Sequence, residues 1–265
     1  MLVAASDAVK SVLFAATKVR DSEAFELAQK FLQHALSLAA KGSLDESTAL
    51  HSLGNIAYAM SKYDAAVAHY EAALTIRKRL LGDNHADVAG MYISLSVVFG
   101  DLGRLDEALA LGSSALEIFN KAPGDNQEDI SLCHQNLGII LDRQGKHDEA
   151  MEHFSTGLAK TEGETARAAD FLVNIGVALK IQSKLDEAME KHASALRIYE
   201  KAKKGTDIAL CLHNISEVLM EKGKLDAALE HARKALAIRR STLPHEHADC
   251  GNSHFLIGNI LLDSG

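Results

Sequence analysis

The chain has no tryptophan, two prolines, three cysteines and only 5% aromatic residues in 265. Each scarcity excludes something. Cys133, Cys211 and Cys250 are far apart and show no CxxC spacing, so they read as small buried side chains in a reducing compartment and not as a disulfide framework. Pro123 and Pro244 each stand just beyond a predicted helix, which leaves the helical runs unbroken. No apolar run approaches the roughly 18 residues that would suggest a membrane span. Met1 to Ala5 is apolar, but Asp7 interrupts it before a signal-peptide core forms, so it reads as the start of a first helix in a cytoplasmic protein. Lys and Arg number 28 against 36 Asp and Glu, a formal charge of -8, and the basic residues are dispersed instead of forming a stripe. That distribution argues against a nucleic-acid partner. No GxGxxG, Walker-type loop, GxSxG or HExxH occurs, and the sequence reads as a non-enzyme without a cofactor.

What the chain does have is a repeat. A small residue recurs at Gly54, Ser96, Gly138, Gly176, Ser216 and Gly258, at intervals of 42, 42, 38, 40 and 42 residues. An aliphatic residue precedes each one, a mostly apolar residue follows three later, and an alanine lies twelve on from the first five (Ala66, Ala108, Ala150, Ala188, Ala228). Each unit carries two runs with the i, i+3, i+4, i+7 spacing of an amphipathic helix, so each unit is a helix pair. Between the runs sit segments such as Gly103-Arg104-Leu105-Asp106-Glu107, Ser183-Lys184-Leu185-Asp186-Glu187 and Gly223-Lys224-Leu225-Asp226. A residue suited to a left-handed cap ends one helix, and acids suit the positive end of the next. The small residue and the alanine predict close approach of the two helices. Units are expected over 3–41, 47–82, 86–122, 127–162, 164–203 and 205–243, with a half unit over 246–265. The first is degenerate, carried by Ala15-Ala16, Val19, Phe25, Ala28, Leu32 and Ala35-Leu36. The last lacks its second helix, which predicts an uncovered apolar face near Leu256, Ile260 and Leu261 and self-association through that end.

Leu137-Gly138, Leu141, Gly145, Ala150, Phe154 and Leu158 show that the frame resembles the tetratricopeptide repeat (TPR). Ala73-Leu74-Thr75-Ile76-Arg77 with His85-Ala86-Asp87, and Ala235-Leu236-Ala237-Ile238-Arg239 with His247-Ala248-Asp249, resemble the long repeats of kinesin light chains and nephrocystin-like proteins. The resemblance implies an all-α right-handed superhelical solenoid of six antiparallel helix pairs plus one unpaired C-terminal helix, with first helices lining a concave groove.

Candidate chemistry is sparse. Asp106-Glu107, Asp148-Glu149 and Asp186-Glu187 recur at one turn and read as helix-start acids. His247, Cys250 and His254, at i, i+3, i+7 with His245 nearby, are admissible zinc ligands. Against that, His247-Ala248-Asp249 repeats His85-Ala86-Asp87, which has no companion ligands, so no metal site is assigned. The stronger signal is polar: Asn136, Asn174 and Asn214 lie two residues before the small residue in three consecutive units. Asn136 is followed at i+3 and i+7 by Ile139 and Arg143, Asn174 by Val177 and Ile181, and Asn214 by Glu217 and Glu221. An asparagine amide can pair with both the N–H and the C=O of an extended peptide. The alternative is that these asparagines bond locally or to a neighbouring helix. Asn55 resembles one element of the clamp by which chaperone-binding TPRs hold a carboxylate, but Ser94, Leu132 and Asn136 stand where its other members would fall. The inferred groove carries Asp101, Asp142, Asp170, Glu217, Glu221 and Asp263 against Arg143 and Lys180, which favours a neutral or basic ligand. The sequence thus reads as a protein-interaction scaffold holding a peptide or partner helix, and as a cargo or complex adaptor. The alternatives are a regulatory segment of a larger signalling protein or a structural subunit of a large assembly.

Overall fold

A computed structural model describes residues 22–244 and 247–265. Among the described residues the fold is all-α, with twelve helices and no strand. In chain order they are α1 (Ser22–Leu38), α2 (Leu44–Ala59), α3 (Tyr63–Leu81), α4 (Ala86–Asp101), α5 (Leu105–Lys121), α6 (Gln127–Arg143), α7 (His147–Ala159), α8 (Ala166–Ile181), α9 (Leu185–Lys201), α10 (Gly205–Glu221), α11 (Leu225–Thr242) and α12 (Ala248–Asp263). The first helix expected around Ala15 to Val19 lies outside the described residues. The second helix of that unit is α1, which buries Phe25, Ala28 and Leu32 with Leu53 and Ile56 of α2.

Local chemistry sets the boundaries. Ser43 caps α2 by accepting the Glu46 N–H at 3.2 Å, while the Glu46 carboxylate accepts from the Gly42 N–H. Thr165 caps α8 in the same way, accepting from Ala168. The short turns between helices close with a long backbone bond, from the Arg104 N–H to the Phe99 carbonyl at 2.8 Å and from the Lys224 N–H to the Leu219 carbonyl at 2.9 Å. The residue inside that bond is left-handed. Gly103 and Gly223 occupy it at φ 77° and 70°, but Ser61 and Ser183 take the same conformation at 57° and 59°. The acid pairs sit in the first turns of α5, α7 and α9.

The chain divides into two compact units, Met1–Gln144 and Gly145–Gly265. In the first, α1 to α6 pack each against the next, and α4 also touches α6. In the second, α7 to α12 do the same, and α10 touches both α8 and α12.

The repeated small residue closes the helix pair in two ways, set by the residue sixteen positions on. At Gly54 and Gly176 a ring lies against it. A Cβ on Gly54 would stand 2.4 Å from Tyr70 Cε1, and one on Gly176 would stand 2.5 Å from His192 Cε1. Where it is serine, the position sixteen on is small, Gly112 or Ala232, and the hydroxyl donates to the backbone of the second helix. Ser96 Oγ reaches the Ala108 carbonyl at 2.6 Å, and Ser216 Oγ reaches the Ala228 carbonyl at 2.7 Å. Both alanines are fully buried. The alanine twelve residues on is fully buried in the serine units and the glycine units alike, and Gly54 and Gly176 in addition make room for a ring.

The last helix corrects one expectation. Leu256 and Ile260 are buried with Ile215, Leu219, Ala228 and Ala232, because one face of α12 packs on α10 and α11. The apolar side chains that α12 exposes are Phe255 (72%), Leu261 (47%) and Leu262 (81%).

Candidate functional site

The two paired sequence segments form the connectors ahead of α4 and α12. Arg77 donates through Nε to Ser47 Oγ at 3.0 Å and through a terminal nitrogen to the Asp87 carbonyl at 3.1 Å. Arg239 repeats the second bond to the Asp249 carbonyl at 3.0 Å and donates to Ser253 Oγ at 2.6 Å. His85 and His247 are the N-caps of α4 and α12, each accepting through Nδ1 from the N–H of Asp87 or Asp249. The metal alternative loses its geometry here. His247 Nδ1 is engaged in its cap, Cys250 is buried, and His254 Nε2 stands 3.2 Å from a guanidinium nitrogen of Arg240. Among the described residues no three His, Cys, Asp or Glu side chains are placed to hold a metal ion. All three cysteines are buried free thiols, and burial pushes Cys133 and Cys211 up to about 12.

In the first unit, the first helices α2, α4 and α6 carry polar links across their faces. His51 Nε2 is 3.2 Å from Ser94 Oγ, Tyr58 donates to Asp101 at 2.6 Å, and Arg143 donates to the other oxygen of Asp101 at 2.9 Å. Asn55 accepts from the Tyr70 hydroxyl at 2.7 Å. Asn136 is buried at 8% exposure and donates to Ser96 Oγ at 2.8 Å, while Ile139 on the same helix is half-buried.

The second unit is arranged differently. Asn174 on α8 is half-buried and Asn214 on α10 is 7% exposed, and neither amide bonds another described side chain or backbone group. Val177 is half-buried one turn beyond Asn174. Lys180 of α8 donates to Glu217 of α10, and His213 Nε2 lies 3.5 Å from the other Glu217 oxygen. The hydrogen bond from His213, then that from Lys180, holds the Glu217 carboxyl down at about 2 against the opposing effect of burial. His213 Nδ1 is 3.5 Å from an Arg239 nitrogen, so a polar chain runs from α8 through α10 to α11. Asp170 accepts from the Tyr199 hydroxyl. Ile181 is 49% exposed, and Glu221 and Asp263 are exposed acids with no ion pair among the described residues.

Both basic residues counted for the groove, Arg143 and Lys180, are thus paired with acids on neighbouring first helices. Sequence reasoning missed Tyr70, His192, Gly112 and Ala232 as partners of the repeated small residue. Their constant sixteen-residue offset, with ring opposite glycine and small opposite serine, was the available signal.

The model of the tetratricopeptide repeat matches at residues 11–79, 45–121, 87–162 and 167–241. No curated protein matches the chain in sequence. Among solved structures, BtubC (BKLC) from P. vanneervenii is similar at 21% identity, covering 91% of this chain and 90% of that one, with a TM-score of 0.63. The apo quorum sensor NprR from B. thuringiensis matches at 13% identity over 97% of this chain and 68% of that one, TM-score 0.73. A Rap protein complexed with Competence and Sporulation Factor matches at 17% identity over 80% and 58%, TM-score 0.67. At these identities the likeness is one of fold, while the family model spans most of the repeats: the chain belongs to the tetratricopeptide repeat family.

Proposed function

We propose that the chain is a non-catalytic scaffold whose first-helix face in the second unit holds an extended peptide or partner helix through the amides of Asn174 and Asn214. One observation carries this. The two asparagines stand on touching helices, and each keeps a donor and an acceptor with no partner among the described residues. Val177 and Ile181 supply apolar surface beside Asn174, and Glu221 adds an unpaired acid on α10, which suits a neutral or basic segment. The similar Rap protein, solved with a bound factor, supports a ligand-holding role for this fold. An adaptor of cargo or complexes in the cytoplasm is the setting we favour.

The test begins with peptides selected from a random phage-displayed library on the folded chain. Asn174→Ala with Asn214→Ala should weaken a selected peptide about tenfold, at a net 0.5–1.5 kcal/mol per lost bond, with no loss of thermal stability. Unchanged affinity in a folded double variant would remove these residues from the site.

A further inference from the structure

We infer that His192 makes the α8–α9–α10 segment acid-labile, loosening it below neutral pH while a ring that cannot take up a proton in the same slot would keep it closed. The side chain is fully buried against Gly176, and neither ring nitrogen has a hydrogen-bond partner. Its environment explains why. In the first unit the ring at this slot is Tyr70, whose hydroxyl is received by Asn55, the residue after the glycine. The residue after Gly176 is Val177, which has no acceptor to offer. An imidazole here fills the slot as an aromatic ring does, but neither of its nitrogens finds a hydrogen-bond partner.

The charged groups that face it come from the two helices packed on α9. Lys180 of α8 opposes protonation and Glu217 of α10 favours it, and the two are paired with each other, so neither compensates a second buried cation. Burial, then the Lys180 charge, holds the imidazole down at about 4, against an ordinary value of 6.5. The unfolded ring therefore takes up a proton before the folded one does. Stability from this group is complete above the unfolded value and is lost as pH falls from about 6.5 towards 4. At pH 5 the opening equilibrium of the segment should rise roughly 30-fold over its value at pH 7.5 from this residue alone. Opening would also separate Lys180 from Glu217 and Asn174 from Asn214. That consequence for binding rests on the proposed function; the opening itself does not.

Amide hydrogen exchange, corrected for the intrinsic pH dependence of exchange, tests this on the whole chain. Peptides from residues 166–221 should lose protection between pH 7.5 and pH 5 in the native sequence. His192→Phe, which places in this slot the residue that stands at the equivalent position 154, should abolish that loss. A native protein with unchanged protection at pH 5, or a folded His192→Phe protein that loses it to the same extent, would overturn the inference. Should His192→Phe fail to fold, the imidazole resonances of the native protein decide. A His192 ring still neutral at pH 5 supports the inference, and one titrating between pH 6 and 7 refutes it.

Discussion

Two glycines at the same position of the repeat should respond with opposite sign to the same substitution. Gly54 lies under Tyr70, which is 3% exposed and tied through its hydroxyl to Asn55, so the ring cannot swing aside. A methyl group on Gly54 would stand 2.4 Å from Cε1 and 2.6 Å from Cδ1, about 1 Å inside ordinary contact. Overpacking of this kind costs about 1–3 kcal/mol, and the immobile ring puts Gly54→Ala near the upper end. Helix propensity returns about 1 kcal/mol, leaving a net loss of about 2. Gly258 has no atom within 4 Å of the same built methyl, so Gly258→Ala should gain about 1 kcal/mol from propensity alone. Urea denaturation followed by circular dichroism should separate the two variants by about 3 kcal/mol, one on each side of the native protein. Tyr70→Ala in the Gly54→Ala background should remove most of the penalty, with a coupling of at least about 1 kcal/mol. Equal midpoints for the two variants, or additive effects of Gly54→Ala and Tyr70→Ala, would refute the ring-over-glycine account.

Ser183→Gly should stabilise the second unit by about 1 kcal/mol, because a non-glycine residue in the left-handed region costs about 1–2 kcal/mol; a lowered thermal midpoint would show that its side chain contributes more than its backbone strain. Arg239→Met should leave the Asp249 carbonyl without its donor and cost about 1–3 kcal/mol, seen as faster amide exchange in residues 248–256, and unchanged exchange there would show that the bond contributes nothing. His51, held down at about 4 by burial and then by the Arg77 charge, stabilises the first unit fully above pH 6.5 and loses that contribution as pH falls towards 4. Exchange in peptides from residues 44–101 should therefore quicken at pH 5 in the native protein and much less in His51→Asn, whereas equal quickening in both would assign the acid response elsewhere.

The repeat frame was legible because burial imposes it: the leucines, alanines and small residues at constant spacing face the packed side of every pair. The turn acids and the left-handed caps were legible for the same local reasons, although Ser61 and Ser183 show that glycine is not obligatory there. What fills the space beside each glycine was not read, since it depends on a residue sixteen positions away in the other helix. The segments around Arg77 and Arg239 show in the sequence only as a resemblance, because the carbonyls their guanidinium groups bond are backbone atoms, which leave no signature in side-chain spacing. The asparagine spacing placed the three residues at one repeat position but said nothing of their bonding. Asn136 meets Ser96 on the first helix of the preceding unit, and Ser96 then relays to Ala108, whereas Asn174 bonds no described hydroxyl. Similarly, Lys180 counted as a free base in the sequence because its Glu217 partner stands 37 residues away on another helix.

Mapping where a selected peptide sits on the isotope-labelled chain, by the change in its amide resonances, tests the binding-face account most directly. The account predicts shifts concentrated on α8 and α10 around Asn174, Val177, Asn214 and Glu221, abolished by Asn174→Ala with Asn214→Ala. Shifts confined to the second helices α9 and α11, around residues such as Arg233 and Lys234, and persisting in that double variant, would contradict it.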